Sequence, residues 1–219
     1  MKKLLLLLLL LCALCSCSLD LDDKQEEAYV AFATVENPNA TPKFHLLLDD
    51  GTKFYTAEVG ELANPDEGYP KDGRRVLINY SIVKPESNIN IKLRNLTNVP
   101  LGIISIENSS RRNDRHRLEM LYPGGADFLN VLMSHNYTSS TNVQHDILLV
   151  KKELRADEAE FDLIYSNNGD LGTEFGMSSI SFDLSSLKEQ YPDSIKLVVN
   201  TFETSAETPK AYTMKYKWK

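Results

Sequence analysis

Side chains that commonly carry out chemistry are few in this sequence of 219 residues, and none follows the spacing of a familiar catalytic or metal site. The histidines are His45, His116, His135 and His145. No two of them lie four residues apart around a Glu, so the usual zinc spacing is absent. Ser134 and His135 are adjacent, but adjacency along a chain does not place a hydroxyl group against a base.

The motifs of common enzyme classes are also missing. The sequence has no Gly-x-Ser-x-Gly nucleophile elbow, no phosphate-binding P-loop and no dinucleotide fingerprint. Pairs of carboxylates that assemble across strands, as in glycosidases, leave no trace in a sequence. We therefore expect no metal, no cofactor and no enzymatic activity, with a carboxylate hydrolase as the alternative.

All three cysteines, Cys12, Cys15 and Cys17, fall within the first seventeen residues. Two lysines precede an apolar run over residues 4–14, which is too short for the ~20 residues that cross a bilayer and is typical of a secretory signal. The Leu-Cys-Ser-Cys string at 14–17 resembles a bacterial lipobox. We expect a signal peptide at 1–16 and an acylated Cys17; the alternative is ordinary secretory cleavage with an incidental Cys17.

The segment after Cys17 is strongly acidic. Residues 17–27 form the predicted tether, which is either a simple solvated spacer or similar to the surface-export signal of Bacteroidetes lipoproteins. Loss of Lys2 and Lys3 with the signal takes the net charge from −7 to −9. This acidic balance argues against nucleic acid as a partner, since nucleic-acid binding needs a basic surface.

Apolar residues recur at every second position through most of the remaining chain, which predicts half-buried antiparallel strands and an all-β fold. We expect Val76, Ile78, Ile89, Ile91 and Leu93 to face the inside of a barrel that spans about residues 28–106. His45 alternates with its apolar neighbours and should face outward. A short helix is predicted at 185–190, before Pro192.

Three polar stretches punctuate the strands. The Asp50-Gly51 pair predicts a hairpin turn, because such turns need positive φ angles, and residues 167–170 are likewise interpreted as a turn. Residues 111–117 carry four Arg and one Asp. We interpret this basic stretch as a solvated connection between two domains, with contact to phosphate or lipopolysaccharide as the alternative.

Several strings, taken in order behind the lipobox, resemble the NigD-like lipoproteins of Bacteroidetes. They are FHLLLDDG at 44–51, DGRRVLINYSI at 72–82, DFLN at 127–130, HDILLV at 145–150, NNGD at 167–170 and SFDLS at 181–185. The resemblance implies an N-terminal OB-fold barrel followed by a C-terminal β-sandwich. With the basic stretch as the boundary, the barrel domain is placed at 28–110 and the sandwich at 115–219.

The combined hypothesis is a two-domain envelope lipoprotein held at the outer membrane by lipid on Cys17, either facing inward or displayed at the cell surface. Its expected role is non-enzymatic binding of an envelope protein or a glycan. OB barrels bind ligands on the face of their second and third strands, which makes Lys53, Tyr55, Arg75 and Asn79 candidate ligand-binding residues. A hydrolase with carboxylates at the domain junction and a bacteriocin-related accessory protein are the alternatives.

Overall fold

The computed structural model describes residues 27–36, 44–59, 71–84, 90–106, 113–124, 127–140, 143–203 and 208–218. Cys17, the predicted signal and residues 17–26 of the predicted tether lie outside these ranges. Within them the chain forms strands and one short 3-10 helix, as the alternating pattern predicted. The strands are β1 Tyr29–Glu36, β2 His45–Leu48, β3 Lys53–Val59, β4 Arg75–Lys84, β5 Asn90–Asn98, β6 Leu101–Gly102, β7 Ile104–Ser105, β8 Arg117–Gly124, β9 Phe128–Tyr137, β10 Asp146–Leu154, β11 Glu158–Ser166, β12 Glu174–Asp183, β13 Ser194–Thr201 and β14 Lys210–Lys217.

The first five strands close into a barrel in the order β1-β2-β3-β5-β4. Neighbouring strands are antiparallel except β3 and β5, which run parallel. The predicted inward residues Val76, Ile78, Ile91 and Leu93 are at most 1% exposed, which confirms their direction. Ile89 lies outside the described residues.

The predicted hairpin at Asp50-Gly51 joins β2 to β3. Gly51 has a φ of 91°, a conformation that costs a glycine little and other residues much more. The Leu48 amide donates to the Thr52 carbonyl at 2.8 Å, and the Thr52 amide donates to Asp50 at 2.7 Å. The turn interpretation is therefore confirmed here, and residues 167–170 also form a turn, with positive φ at Asn168 and Gly169.

The barrel ends earlier than the sequence suggested. Its last strand stops at Asn98, and β6 and β7 already belong to the second domain. The β6 strand adds in parallel to β12, and β7 adds in parallel to β10. Residues 101–105 thus join both sheets of the sandwich, so a boundary at 110 lies too late. This segment is short and carries no signal that assigns it to one domain, which is why the sequence did not separate them.

The second domain is a sandwich of two sheets. One has the strand order β14-β13-β11-β10-β7 and the other β6-β12-β9-β8. Its core is formed by the inward side chains of both sheets, and the largest that have no exposed surface are Phe161, Tyr165 and Phe182. Burial of such residues on both facing sheets is what stabilises a sandwich.

The predicted short helix is a 3-10 helix at Ser185–Leu187. Neither Ser185 nor Ser186 caps it with its side chain; the Asp183 carboxylate instead accepts from the Ser185 amide at 2.8 Å. In the part of the chain that the structure describes, no helix is long and apolar enough to cross a membrane.

Replacement of Phe161 by Ala should lower the free energy of unfolding by about 3–5 kcal/mol, because it empties a fully buried position in the sandwich core. Phe175→Ala is the matched control, since Phe175 is 69% exposed and its loss should change stability by less than about 0.5 kcal/mol. Urea unfolding measures both. Equal effects of the two substitutions would contradict the assignment of the core.

Candidate functional site

The predicted barrel-face residues Lys53 and Tyr55 share the outer side of β3. The Lys53 Nζ lies 2.5 Å from Glu36 in an exposed ion pair. The Tyr55 ring, 36% exposed, meets the His45 ring edge-on, with 4.5 Å between ring centroids. These four side chains form a continuous surface on β1, β2 and β3, so this part of the predicted binding face is accessible.

Arg75 does not face solvent, and that part of the prediction is wrong. Its side chain is 3% exposed because the sandwich domain covers this side of β4. Asn79, on the same side of the strand, is half-buried, and its Oδ1 is buried without a hydrogen-bond partner. Neither residue is placed to meet a ligand on the open barrel face with Lys53 and Tyr55.

Arg75 instead makes a buried, two-pronged ion pair at the domain junction. Its two terminal nitrogens donate to the two Asp49 carboxylate oxygens at 2.7 and 2.9 Å. The second nitrogen also donates to the side-chain Oδ1 of Asn130 at 2.9 Å, and the Ser181 hydroxyl donates to the same oxygen at 2.7 Å. Asp49 and Arg75 belong to the barrel, and Asn130 and Ser181 to the sandwich, so one polar network links the two domains.

Gly124 at the end of β8 allows this close approach. A Cβ atom at that position would lie 2.3 Å from the Asp49 carboxylate and 2.7 Å from the Asn130 amide nitrogen. The Phe128 ring lies against the Arg75 guanidinium, 4.6 Å from its central carbon. The charged pair is thus enclosed by side chains from both domains.

An apolar contact continues the junction beside the ion pair. Phe32 from β1, Val99 from the linker and Leu132 from β9 form a buried cluster, against which Met120 and Tyr122 pack. Burial raises the pKa of Tyr122 to about 12. The junction is therefore filled by buried side chains in the part that the structure describes. Its buried carboxylate, Asp49, is paired with the positive charge of Arg75.

A second group of polar residues lies at the end of the sandwich where β9 finishes and β10 begins. An open pocket there has a volume of about 240 Å³. It is lined by His135, Tyr137, Thr138, Val143, His145, Asp170 and Ser178. The inward-facing row of β9 supplies His135 and Tyr137, β12 supplies Ser178, and His145 and Asp170 come from the connections before β10 and after β11.

Asp170 and His145 form the rigid part of this pocket. The two Asp170 oxygens accept from the Thr138 amide at 2.9 Å, the Thr138 hydroxyl at 2.5 Å, the Gly172 amide at 2.9 Å and His145 Nε2 at 3.0 Å. These donors, first among them the Thr138 hydroxyl, hold the Asp170 pKa well below its ordinary value. The other ring nitrogen of His145 lies 2.7 Å from the hydroxyl group of Tyr165.

His135 lies beside this network and faces Ser178. Its Nε2 is 2.8 Å from the Ser178 hydroxyl, and its Nδ1 is 3.2 Å from the Asn136 carbonyl oxygen. The ring is 4.8 Å from the His145 ring and 5.2 Å from the Tyr165 ring, measured between centroids. Burial lowers the pKa of His135 below its ordinary value, so the imidazole is neutral at pH 7.

His116 is buried beside Tyr165, with 5.5 Å between the ring centroids. Its Nε2 lies 2.8 Å from the Thr201 hydroxyl and its Nδ1 lies 3.0 Å from the Asp114 carbonyl oxygen. Burial lowers its pKa as well. The basic stretch is thus not a solvated connection throughout: Arg115 and Arg117 are exposed, but His116 anchors the chain to the sandwich.

No metal site emerges from these side chains. Within the described ranges, no group of three His, Cys, Asp or Glu residues is arranged to hold a metal ion.

Sequence reasoning missed this pocket because its residues are far apart along the chain. His145 matched no site spacing in the sequence, and Asp170 was interpreted only as part of the turn at 167–170. One signal was present: the inward positions of β9 run Leu129, Val131, Met133 and then His135. A histidine that continues an apolar row indicates a polar group held between the sheets.

Comparison with known families decides the identity of the fold. Residues 32–99 match the family model of the NigD-like N-terminal OB domain, and residues 106–216 match that of the NigD-like C-terminal beta sandwich domain. The chain belongs to the NigD-like family. The resemblance stated from the sequence is confirmed, and so is the order of an OB barrel followed by a sandwich.

Solved structures share the NigD-like architecture over most of their length. A candidate toxin-related protein from Parabacteroides distasonis is 25% identical, with a TM-score of 0.64 over 87% of this chain and 94% of its own. A NigD-like immunity protein from Bacteroides caccae is 14% identical, with a TM-score of 0.66 over 86% and 96%. A candidate lipoprotein from Bacteroides fragilis is 12% identical, with a TM-score of 0.55 over 88% and 98%. No curated protein matches the chain.

Breaking the junction ion pair of the NigD-like chain should be costly. Arg75→Met leaves the Asp49 charge buried without its partner, and we expect a loss of about 3–5 kcal/mol in the free energy of unfolding. Lys53→Met removes the exposed ion pair to Glu36 and serves as the control, with no measurable loss expected. Denaturant unfolding compares the two; an Arg75 variant as stable as the Lys53 variant would contradict a structural role of the junction pair.

Stability should also fall as the solution is acidified from pH 7.5 to 5.5. The lowered pKa values of His116 and His135 mean that the unfolded chain, with histidine pKa near 6.5, binds protons more readily than the folded chain. Their contribution is therefore complete above pH 6.5, begins to be lost as the pH falls below that value, and is lost entirely below the lower pKa values of the folded chain. Chemical unfolding at several pH values measures the slope. A double variant, His116→Gln with His135→Gln, should flatten it, and a flat wild-type profile would refute the assignment.

Proposed function

We propose that this NigD-like protein is a lipid-anchored lipoprotein of the outer membrane that binds a partner, and that the pocket at the end of its sandwich is the binding site. The observation that carries the proposal is the pocket itself, which combines a volume of about 240 Å³ with walls of hydrogen-bonded polar side chains. Preformed concave sites with a few convergent polar groups are the usual form of ligand sites.

The pocket is a better candidate than the barrel face. On the barrel, Arg75 is taken up by the domain junction and Asn79 is half-buried, which leaves Lys53 and Tyr55 on an open surface. In the pocket, His145 and Asp170 hold one another in place before any ligand arrives. Such rigidity lowers the entropy that binding must lose. An envelope protein or a glycan supplies the hydroxyl and amide groups that suit a polar pocket of this size.

The anchor is supported by the lipobox-like string that ends at Cys17. Several acyl chains on this residue would give stable attachment, because each buried CH₂ contributes only about 0.8 kcal/mol. The name of the Bacteroides fragilis neighbour, a candidate lipoprotein, agrees with an anchor. The net charge of −9 after signal removal would keep the body away from anionic headgroups.

A bacteriocin-related accessory role is the second candidate. The names of two structural neighbours favour it, since one is a NigD-like immunity protein and the other a candidate toxin-related protein. The partner would then be a secreted toxin rather than a resident envelope component. A hydrolase at the domain junction is less favoured, because Asp49 there is paired with Arg75 instead of with a second acid.

A pull-down of partners from outer-membrane fractions, with labelling by clickable palmitate, tests anchor and site together. We expect wild type to take up palmitate and retain a partner. Cys17→Ala should lose the label. In detergent phase partitioning it should also move from the detergent phase to the aqueous phase. Val143→Trp should keep the label and lose the partner, because Val143 is 39% exposed at the pocket and a Trp there fills the cavity.

Two controls locate the binding surface. Val30→Trp places the same side chain on the barrel, where Val30 is 47% exposed, and should retain the partner. A variant with Lys53→Ala and Tyr55→Ala tests the barrel face. Loss of the partner in this variant, with retention in Val143→Trp, would move the site to the barrel. Continued palmitate labelling of Cys17→Ala would refute the anchor.

A further inference from the structure

The sandwich pocket contains a serine hydroxyl in hydrogen-bond contact with an imidazole. His135 and Ser178 lie diagonally across the β9–β12 pair, since His135 is opposite Gly176 and Ser178 is opposite Met133. Side chains at diagonal positions of one sheet face come within reach of each other. The separation of 2.8 Å between Ser178 Oγ and His135 Nε2 is that of a nucleophile and its base.

The surroundings fix which ring nitrogen carries the proton. His135 Nδ1 lies 3.2 Å from the Asn136 carbonyl oxygen, which can only accept, so the neutral ring carries its proton on Nδ1. Nε2 is then an acceptor, and the Ser178 hydroxyl donates to it. The carbonyl group of Asn136 thus takes the orienting position that a carboxylate holds in a Ser-His-Asp triad.

The rest of the pocket holds the His135 ring in this orientation. The rings of His145 and Tyr165 pack against it at 4.8 and 5.2 Å between centroids. His145 is itself fixed by Asp170 at one nitrogen and by the Tyr165 hydroxyl at the other. His135 and Ser178 are therefore the pair in the described pocket whose geometry suits proton transfer.

We propose that Ser178 is a nucleophile, activated by His135, that accepts the acyl group of a small carboxylic ester bound in the sandwich pocket. The inference rests on the proposed binding site and revises the expectation that the chain is not an enzyme. The pocket volume of about 240 Å³ is below the ~300–1,000 Å³ of sites for drug-sized ligands, which suits a small ester such as an acetate.

In the proposed step, Ser178 Oγ attacks the carbonyl carbon of the ester while its proton passes to His135 Nε2. The bond to the leaving alcohol breaks, the alcohol takes that proton, and Ser178 remains as an acyl ester. Water then attacks the acyl carbon and gives one proton to His135 Nε2. The bond between the acyl carbon and Ser178 Oγ breaks, Oγ takes that proton back from His135, and the carboxylic acid leaves. No oxidant, reductant or further reactant is needed.

The experiment uses the full chain and an alkyne-bearing fluorophosphonate, which phosphonylates an activated serine with release of fluoride. We expect wild type to be labelled at Ser178, as mapped by peptide mass spectrometry. Ser178→Ala should lose the label. His135→Gln should be labelled at least about 100-fold more slowly, since a general base usually contributes that much to the rate. Ser179→Ala is the matched control, because Ser179 is the next residue on the opposite face of β12 and should leave labelling unchanged.

Hydrolysis of p-nitrophenyl acetate provides the second readout, with circular dichroism to verify that each variant is folded. Absence of label at Ser178 in folded wild type would overturn the proposal, as would equal labelling of wild type and His135→Gln. The partner pull-down separates this failure from that of the binding site: Val143→Trp would still lose the partner if the pocket binds but Ser178 does not react.

Discussion

The arrangement of the two domains depends on the buried pair of Arg75 and Asp49. A charge removed from water must be paired and hydrogen-bonded, or its burial costs several kcal/mol. The barrel supplies both charges, but part of their hydrogen-bonding capacity is met by the side chain of Asn130 of the sandwich, which also accepts from the Ser181 hydroxyl. Separation of the domains would expose this network and the apolar contact of Phe32 beside it, so the two domains are held in one orientation.

That orientation determines which surfaces remain open for function. The β9 strand carries Asn130 at the junction and His135 at the pocket, five residues and about 17 Å apart along the strand. The sandwich therefore uses one end of its inner strand to hold the barrel and leaves the other end free. On the barrel, the same docking covers Arg75 and leaves Lys53 and Tyr55 accessible, which splits the binding face that a free OB barrel would present.

The fold was largely predictable from the sequence, but the polar contacts were not. Alternating apolar residues dictate strands locally, and Asp50-Gly51 dictates a turn, because both signals depend on neighbouring residues. The burial of Arg75 depends on Asn130, 55 residues away, and no local pattern records such a partner. An arginine is usually exposed in a folded protein, so the prediction placed Arg75 on the open face and missed the domain that covers it.

In the pocket, tertiary contacts occupy all the hydrogen-bonding groups of some polar residues and leave others with groups that can meet a ligand. An ionised carboxylate offers about four acceptor sites, and Asp170 uses them on the amide and hydroxyl of Thr138, the Gly172 amide and His145. Both nitrogens of His145 are then engaged, so this pair acts as a wall of the cavity. Ser178 donates its one proton to His135, and its oxygen keeps further acceptor capacity. Because Asp170 and His145 are occupied by each other and by their neighbours, the reactive pair proposed for this pocket is Ser178 and His135.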